Sequence, residues 1–298
     1  MQYFTSIDNT PYFHWQTELL IESFRMKGMQ DDLYIGIGNP QAHGLPKLTT
    51  NLRSHPNKFF FEAYSGHPAL SRIYAATLAV MNGAIEAPFA LIDCDTVLLK
   101  PLEGSPEADI TFHMAEEDET LKTALEPKIR QLCKDYKINR DAIGWLPVGH
   151  TIVFNKIEET MLFRALQWGE RIVQEEGDDL DVERAAWIMA FHDYLLKSKL
   201  DARFYEATLL HHNIEASLIH YDHGLPPDFV KKNFTYKDGA IGFLAAGGDP
   251  YNAILKSNPT SMTNALQTVV KSYLGRDDVQ TAFAEADKHK NTVQGEVS

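Results

Sequence analysis

Phe89-Ala-Leu-Ile-Asp-Cys-Asp-Thr-Val-Leu-Leu-Lys-Pro-Leu102 is the stretch on which the reading of this 298-residue chain turns. Ala87–Ile92 is an apolar run broken only by its proline, the pattern of a strand buried on both faces of a parallel α/β sheet. A buried strand cannot hold a carboxylate in its middle without partners. At its carboxyl end, Asp93 and Asp95 reach the crevice where open α/β sheets bind ligands. Alternate residues of an extended strand share a face, so the two carboxylates converge on one hard cation. Such a cation bridges the phosphates of a nucleotide diphosphate and neutralises charge as the diphosphate leaves. A pair of solvated turn aspartates is the plainer alternative, and the apolar residues on both sides favour the metal site.

Working outward, the chain alternates strand and helix signals. Gln2–Ile7 reads as a strand, Asp8–Pro11 as a turn, and Tyr12–Met26 as a helix stopped by Gly28. Leu33–Ile37 and Lys58–Ala63 are strands, and His67–Met81 is a helix with Pro68 in its first turn. Beyond the acidic motif, Ile110–Met114 and Thr151–Asn155 read as strands, and Glu158–Glu176 and Val182–Ser198 as helices. Ala202–Ala207 and Ala216–His220 are further strand candidates. Residues 259–274 and 277–290 look helical, and the last eight look disordered. This alternation predicts a parallel-type α/β sheet with helices on both faces.

Composition narrows the function. The 28 basic and 41 acidic residues give a net charge of −13. That argues against a protein held on nucleic acid or anionic lipid by bulk charge. Cys94 and Cys133 are too few for a disulfide framework or a four-cysteine zinc site. No run is long and apolar enough to span a bilayer, and residues 1–30 lack the order of a signal peptide. The expected location is the cytoplasm.

A strand, an Asp-x-Asp, an apolar run and Lys100-Pro-Leu102 together resemble the nucleotide-diphospho-sugar glycosyltransferases of the GT-A fold. Gly66–Leu102 and the opening Pro11-Tyr-Phe-His-Trp-Gln16 resemble the hydroxyproline O-arabinosyltransferase and peptidyl-serine galactosyltransferase group. That group tends to carry a Glu-Pro-Asp-like motif, whereas this chain has the Asp-x-Asp seen across GT-A enzymes, the glycogenin-like ones included. The resemblance covers roughly residues 1–240. It implies a Rossmann-like mixed sheet flanked by helices over 1–240; residues 241–298 lie outside it and read as a C-terminal helical extension ending in a disordered tail.

The resemblance also implies a site. In Leu218-Ile-His-Tyr-Asp-His-Gly224, His220 takes the place of a third ligand to Mn²⁺ beside Asp93 and Asp95, with His223 as the rival. Mg²⁺ is the other metal. Gly224 then allows close approach to the diphosphate, and Lys231 or Lys232 supplies its cation. Thr5, Ser6 and Asp8, at the end of the first strand, would meet the base and ribose, Asp8 having a helix cap as its other reading. Arg72 would pair with donor phosphate or with Asp93. Gly149 and His150 begin a strand bordering the donor sugar. Asp181 and Glu183, before the Trp187 helix, are the acidic candidates near the transferred sugar; dipole compensation at a helix start is their alternative. Trp145, Trp187 and Tyr194 offer either a sugar-stacking cluster or core packing.

The expected function is metal-dependent transfer of a sugar from a nucleotide diphosphate, a UDP-sugar, to a hydroxyl acceptor with retention. The acceptor class, whether glycan, peptide or modified base, stays open. Two rivals stand beside it. One is a metal-dependent phosphoesterase or nuclease using the same aspartates, with Asp178, Asp179 and Asp181 toward a second metal. The other is a non-catalytic sugar-nucleotide-binding module.

Overall fold

The computed structural model describes residues 1–38, 50–62, 64–102, 109–114, 119–138, 148–156, 159–176, 181–195, 202–205, 218–220, 244, 247–258 and 261–285. Its strands are β1 (Gln2–Asp8), β2 (Leu33–Gly38), β3 (Lys58–Phe61), β4 (Phe89–Leu91), β5 (Thr96–Leu98), β6 (Ile110–Met114), β7 (Val148–Phe154), β8 (Ala202–Tyr205) and β9 (Leu218–His220). Seven of them form one sheet in the order β3-β2-β1-β4-β7-β6-β8, and β5 pairs with β9 alone. Within the large sheet β7 runs against its neighbours β4 and β6, while β1 to β4 pair in parallel. The expected mixed sheet flanked by helices is therefore present.

Strand alternation divides the core. Tyr3, Ile7, Ala90, Ile92 and Val153 face α1 (Pro11–Met26), where Leu20, Ile21 and Phe24 complete one apolar layer. Phe4, Phe89, Leu91, Ile152 and Phe154 face the other way. They pack under α3 (Ser71–Met81), α4 (Glu119–Asp135), α5 (Glu159–Glu176) and α6 (Val182–Ala190). Helices thus cover both faces, and charge has an outlet only at the strand ends.

Several boundaries differ from the sequence reading for local reasons. Asp93–Asp95 is not a strand continuation: the Thr96 hydroxyl donates to the Asp93 carbonyl at 2.6 Å, and the chain turns before β5. The His67–Met81 stretch splits, because His67 Nδ1 accepts from the Ala69 amide and Pro68–Leu70 forms a 3-10 turn ahead of α3. The helix from Val182 gives way at Phe191–Leu195 to a π turn. Gly28 ends α1 as expected, at φ +67, with the Met29 amide returning to the Phe24 carbonyl at 3.0 Å. The last eight residues lie outside the described ones.

Helix α1 is buried on its second side as well. There α7 (Pro250–Lys256), α8 (Ser261–Leu274) and a helix over 277–285 set Tyr251, Ile254, Val270, Tyr273 and Val279 against Tyr12, Trp15 and Leu19. The expected C-terminal helices therefore pack directly on α1. Two glutamates on that side have no solvent exposure, Glu18 and Glu22. Desolvating a carboxylate costs several kcal/mol, on the order of a whole domain's margin, unless donors replace the water. Glu18 accepts from the Asn51 and Leu52 amides of α2 (Thr50–Ser54) at 3.0 and 2.9 Å. Glu22 accepts from Arg25 Nε at 2.8 Å, Ser272 Oγ at 2.6 Å and Arg276 Nη1 at 3.1 Å.

Burial alone would raise the Glu22 pKa; the hydrogen bonds from Arg25, Ser272 and Arg276 outweigh it and hold the carboxyl below the ordinary 4.5. A depressed acid stabilises the fold above its unfolded pKa and loses that contribution as pH falls through its folded pKa. Glu22→Gln is expected to cost about 1.5–3 kcal/mol at pH 7, the worth of a hydrogen bond to a charged group. The gap to wild type should narrow below the ordinary carboxylate pKa. Urea unfolding at pH 7 and at acid pH checks both; a gap independent of pH would refute the linkage.

Candidate functional site

The strand order reverses between β1 and β4: from β1 the chain builds outward through β2 and β3, then crosses to β4 on the other side. A crevice opens outside the carboxyl ends at such a switch point. Here it is a cleft of about 480 Å³ whose lining includes Ser6, Asp8, Arg72, Asp93, Asp95 and Glu183.

Each charged group arrives for a local reason. Phe89 and Leu91 point toward α3 and α6, and Asp93 follows in the turn past the strand end. Arg72 stands in the first turn of α3, and Glu183 in the first turn of α6. Arg72 Nη1 donates to Asp93 Oδ1, while its Nε and Nη2 reach Glu183 Oε1 at 2.7 and 2.6 Å. Trp187 Nε1, one helix turn on, donates to the same oxygen at 3.3 Å. The three charged side chains are 10%, 17% and 22% exposed for Arg72, Asp93 and Glu183, so water screens them only partly.

The cleft is acidic. Asp8, Asp93, Asp95 and Glu183 against Arg72 give its described lining a formal charge of 1 − 4 = −3. Asp93 and Asp95 lie on either side of the buried Cys94, whose Sγ is 3.5 Å from Gln16 Oε1. Both aspartates line the cleft, from a turn rather than from an extended strand. The register Thr96↔His220 places the His220 backbone across from the residue next to Asp95. The side chain of His220 lies outside the described residues, and among the described residues no group of three His, Cys, Asp or Glu converges as a metal site. Asp93 and Asp95 are hard oxygen donors of the kind Mn²⁺ or Mg²⁺ takes, with Arg72 paired to Asp93 in this structure.

The other expected residues are distributed as follows. Asp8 lines the cleft; the residue at the N-cap of α1 is Thr10, so Asp8 does not cap that helix. Ser6 lines the cleft, whereas Thr5 is fully buried within the β1–β2 ladder. Asp181 caps α6, accepting from the Arg184 amide at 3.1 Å, and is absent from the cleft lining. Because β7 is antiparallel to β4, its first residues, Gly149 and His150 among them, lie at the edge where β4 ends. Trp187 is 1% exposed and packs against Phe154, so it belongs to the core rather than to a sugar-stacking face. Gly224, His223, Lys231, Lys232, Trp145, Asp178 and Asp179 lie outside the described residues.

Sequence reasoning passed over one wall of the cleft. Tyr12, Phe13 and Gln16 come from the first turns of α1, and His67 from the cap of the 3-10 turn. The available signal was their position directly after a strand end, where the first helical turn faces the crevice. Behind them, buried His14 holds Asn9 Oδ1 at 2.7 Å, and burial pushes its imidazole down to about 4.

No protein-family model matches the sequence, and no curated protein matches it. Solved structures similar to it include an active-site mutant of LgtC, with a TM-score of 0.45 at 9% identity over 83% of this chain and 96% of that one. The galactosyltransferase LgtC in complex with donor and acceptor sugar analogs gives 0.43 at 9% identity over 89% and 100% of the two chains. A glycosyltransferase involved in glycosylation of the major capsid of PBCV-1 gives 0.38 at 10% identity over 82% and 100%. At these scores the likeness is a partial one of chain trace, and the chemistry of the site rests on this chain's own residues.

Removing Arg72 leaves Asp93 and Glu183 facing each other without their shared cation. Arg72→Ala is expected to destabilise the fold by about 1–3 kcal/mol, less than for a fully buried pair because water reaches part of the site. Adding Glu183→Gln to Arg72→Ala should restore part of that loss. Urea unfolding of the two single variants and the double variant measures the coupling; strictly additive losses would refute it.

Proposed function

We propose that this chain is a GT-A-type glycosyltransferase that moves a sugar from a nucleotide diphosphate, a UDP-sugar, to a hydroxyl acceptor with the help of a divalent metal. The observation that supports this best is the charge of the cleft. A lining of −3 repels a diphosphate, and a strand-end Asp-x-Asp is the means of turning that repulsion into attraction through a cation. Asp93, Asp95 and His220 would hold Mn²⁺ or Mg²⁺. When bound, the ion supplies Lewis-acid stabilisation of the leaving diphosphate.

The chain's own groups do the rest in this reading. Ser6 and Asp8 receive base and ribose at the end of β1, with Thr5 setting the strand behind them. By the resemblance, Gly224 would allow close approach to the diphosphate, and Lys231 or Lys232 would supply its cation. Glu183, fixed from two sides by Arg72 and Trp187, faces the transferred sugar and steadies the positive charge that develops on it. His150 borders the acceptor, and Asp181 sets the start of α6 that aims Glu183. Transfer with retention follows the resemblance to the glycogenin-like and arabinosyl groups. Residues 1–240 carry the activity, and 241–298 brace α1. A reducing, cytoplasmic setting suits two buried cysteines that form no disulfide, with burial pushing the Cys133 thiol up to about 11. Among the described residues, no helix is long and apolar enough to cross a membrane.

A thermal-shift series of nucleotide sugars with and without Mn²⁺ tests the reading, since ligand binding raises the stability of the folded state by mass action. Stabilisation should require donor and metal together, and Asp95→Asn should abolish it while keeping the unliganded melting temperature. Metal-dependent stabilisation of wild-type strength in that variant would remove Asp95 from the site.

Glu183 and Asp181 should separate by readout. Asp181→Asn is expected to cost about 0.5–2 kcal/mol of stability, as for a lost helix cap, with little change in rate. Glu183→Gln should lower the transfer rate with donor affinity largely kept. A Glu183→Gln variant with full transfer rate would move the sugar-facing role elsewhere.

A further inference from the structure

A second cleft of about 400 Å³ lies along α5 and shares no lining residue with the Asp93 cleft. Its floor is Trp168, whose Nε1 donates to Asp193 Oδ2 at 3.2 Å. Tyr136, just past α4, stands edge-on to that indole at 5.1 Å and 82°, and its hydroxyl bonds Glu175 of α5. The two rings are thereby fixed relative to each other. Between them sits the Arg171 guanidinium, with Cζ 4.4 Å from the Tyr136 centroid and 5.0 Å from that of Trp168.

The two rings stand at 82° to each other, so the guanidinium meets both at cation–π distance without stacking flat on both, and these contacts use none of its N–H groups. Among the described residues no acceptor takes the Arg171 N–H groups. The acids nearby each have a donor: Asp193 accepts from Trp168, Glu170 from the Tyr64 hydroxyl and Glu175 from the Tyr136 hydroxyl. On the same face of α5, Arg164 makes only a long 3.4 Å contact to Gln167, and the Gln174 amide lies one turn beyond Arg171. Formal charge in the described lining is balanced, Arg164 and Arg171 against Glu170 and Asp193, in a protein of net charge −13, so what would draw an anion here is the unclaimed N–H groups of Arg171 and not net charge. An oriented fork with an open edge is the arrangement that takes a planar or tetrahedral oxyanion in two parallel hydrogen bonds.

We propose that this cleft is an anion-binding site, with a phosphate or carboxylate group of a small ligand on the fork of Arg171 and the Gln174 amide beside it. Arg164 lies seven residues away, about 10 Å along the helix axis, and so meets the far end of a ligand longer than one oxyanion. The assignment stands independently of the transferase reading, since the two clefts have no residue in common.

Calorimetric titration in EDTA, with inorganic phosphate, glucose 6-phosphate and glucuronate as separate probes, tests it. EDTA keeps the acidic cleft free of metal, so that it does not attract the probes. Wild type is expected to bind at least one of the three, and the preferred probe separates phosphate from carboxylate recognition. Arg171→Gln should weaken binding by about tenfold or more, and Arg171→Lys by nearly as much, because lysine keeps the charge but loses the fork. Arg164→Gln should weaken glucose 6-phosphate and leave inorganic phosphate unchanged. Phenylglyoxal labelling of wild-type Arg171, read by mass spectrometry, covers the case in which the Arg171 variants do not fold: the bound probe should slow it. Absence of binding to all three probes, binding unaltered in Arg171→Gln, or labelling unaffected by the probe would each overturn the proposal.

Discussion

A guanidinium shared between two carboxylates from different helices and strands sets the geometry of the principal cleft. β4 is apolar and buried on both faces, so its first charged residue can appear only past its end. There Asp93 meets Arg72 from α3, and the same guanidinium holds Glu183 from α6. Without a cation at that point, two partly buried carboxylates would sit together in a region of weak screening. The pairing aligns two helix N-termini and one strand end on a single point, and the cleft is the space they leave.

The opposite wall is stiffened from behind. Tyr12, Phe13 and Gln16 line the cleft from the first turns of α1, a helix enclosed between the sheet and the C-terminal helices. Its two buried glutamates are satisfied by Arg25 of α1 itself and by groups from α2 and from α8 and the residues after it. Such a network is costly when incomplete and rigid when complete. The C-terminal segment thereby bears on the cleft without contributing a residue to its lining.

The two clefts differ in which sign of group lacks a counterpart. Around Asp93, carboxylates outnumber the one guanidinium, and the surplus calls for a cation. Along α5, two arginines face two acids bonded to Trp168 and Tyr64, and what lacks a counterpart is the set of N–H groups on the arginine over the two rings. Net charge describes neither, because short-range geometry and local counting decide what each concavity can hold.

Much of this architecture was legible in periodicity. The apolar run before Asp93, the alternation in Gln2–Ile7, the helix ended by Gly28 and the Glu183–Trp187 spacing are local patterns, and each appears in the structure. They are legible because burial of one face is written in the repeat of 2.0 or 3.6 residues. The turn at Asp93–Asp95 was not, since Thr96 closes it with a side-chain bond that an extended strand would lack. The Arg72–Asp93 pair was among the expectations drawn from the resemblance, but nothing in the spacing showed that Glu183, 111 residues from Arg72, shares the guanidinium, or that Glu22 meets Arg276, 254 away. The Thr96↔His220 register likewise depends on how the chain crosses between sheets. Hydrophobic patterning tells each segment which face to bury. Which charges then share a buried point is decided by the order in which strands and helices pack, and only the folded chain contains that information.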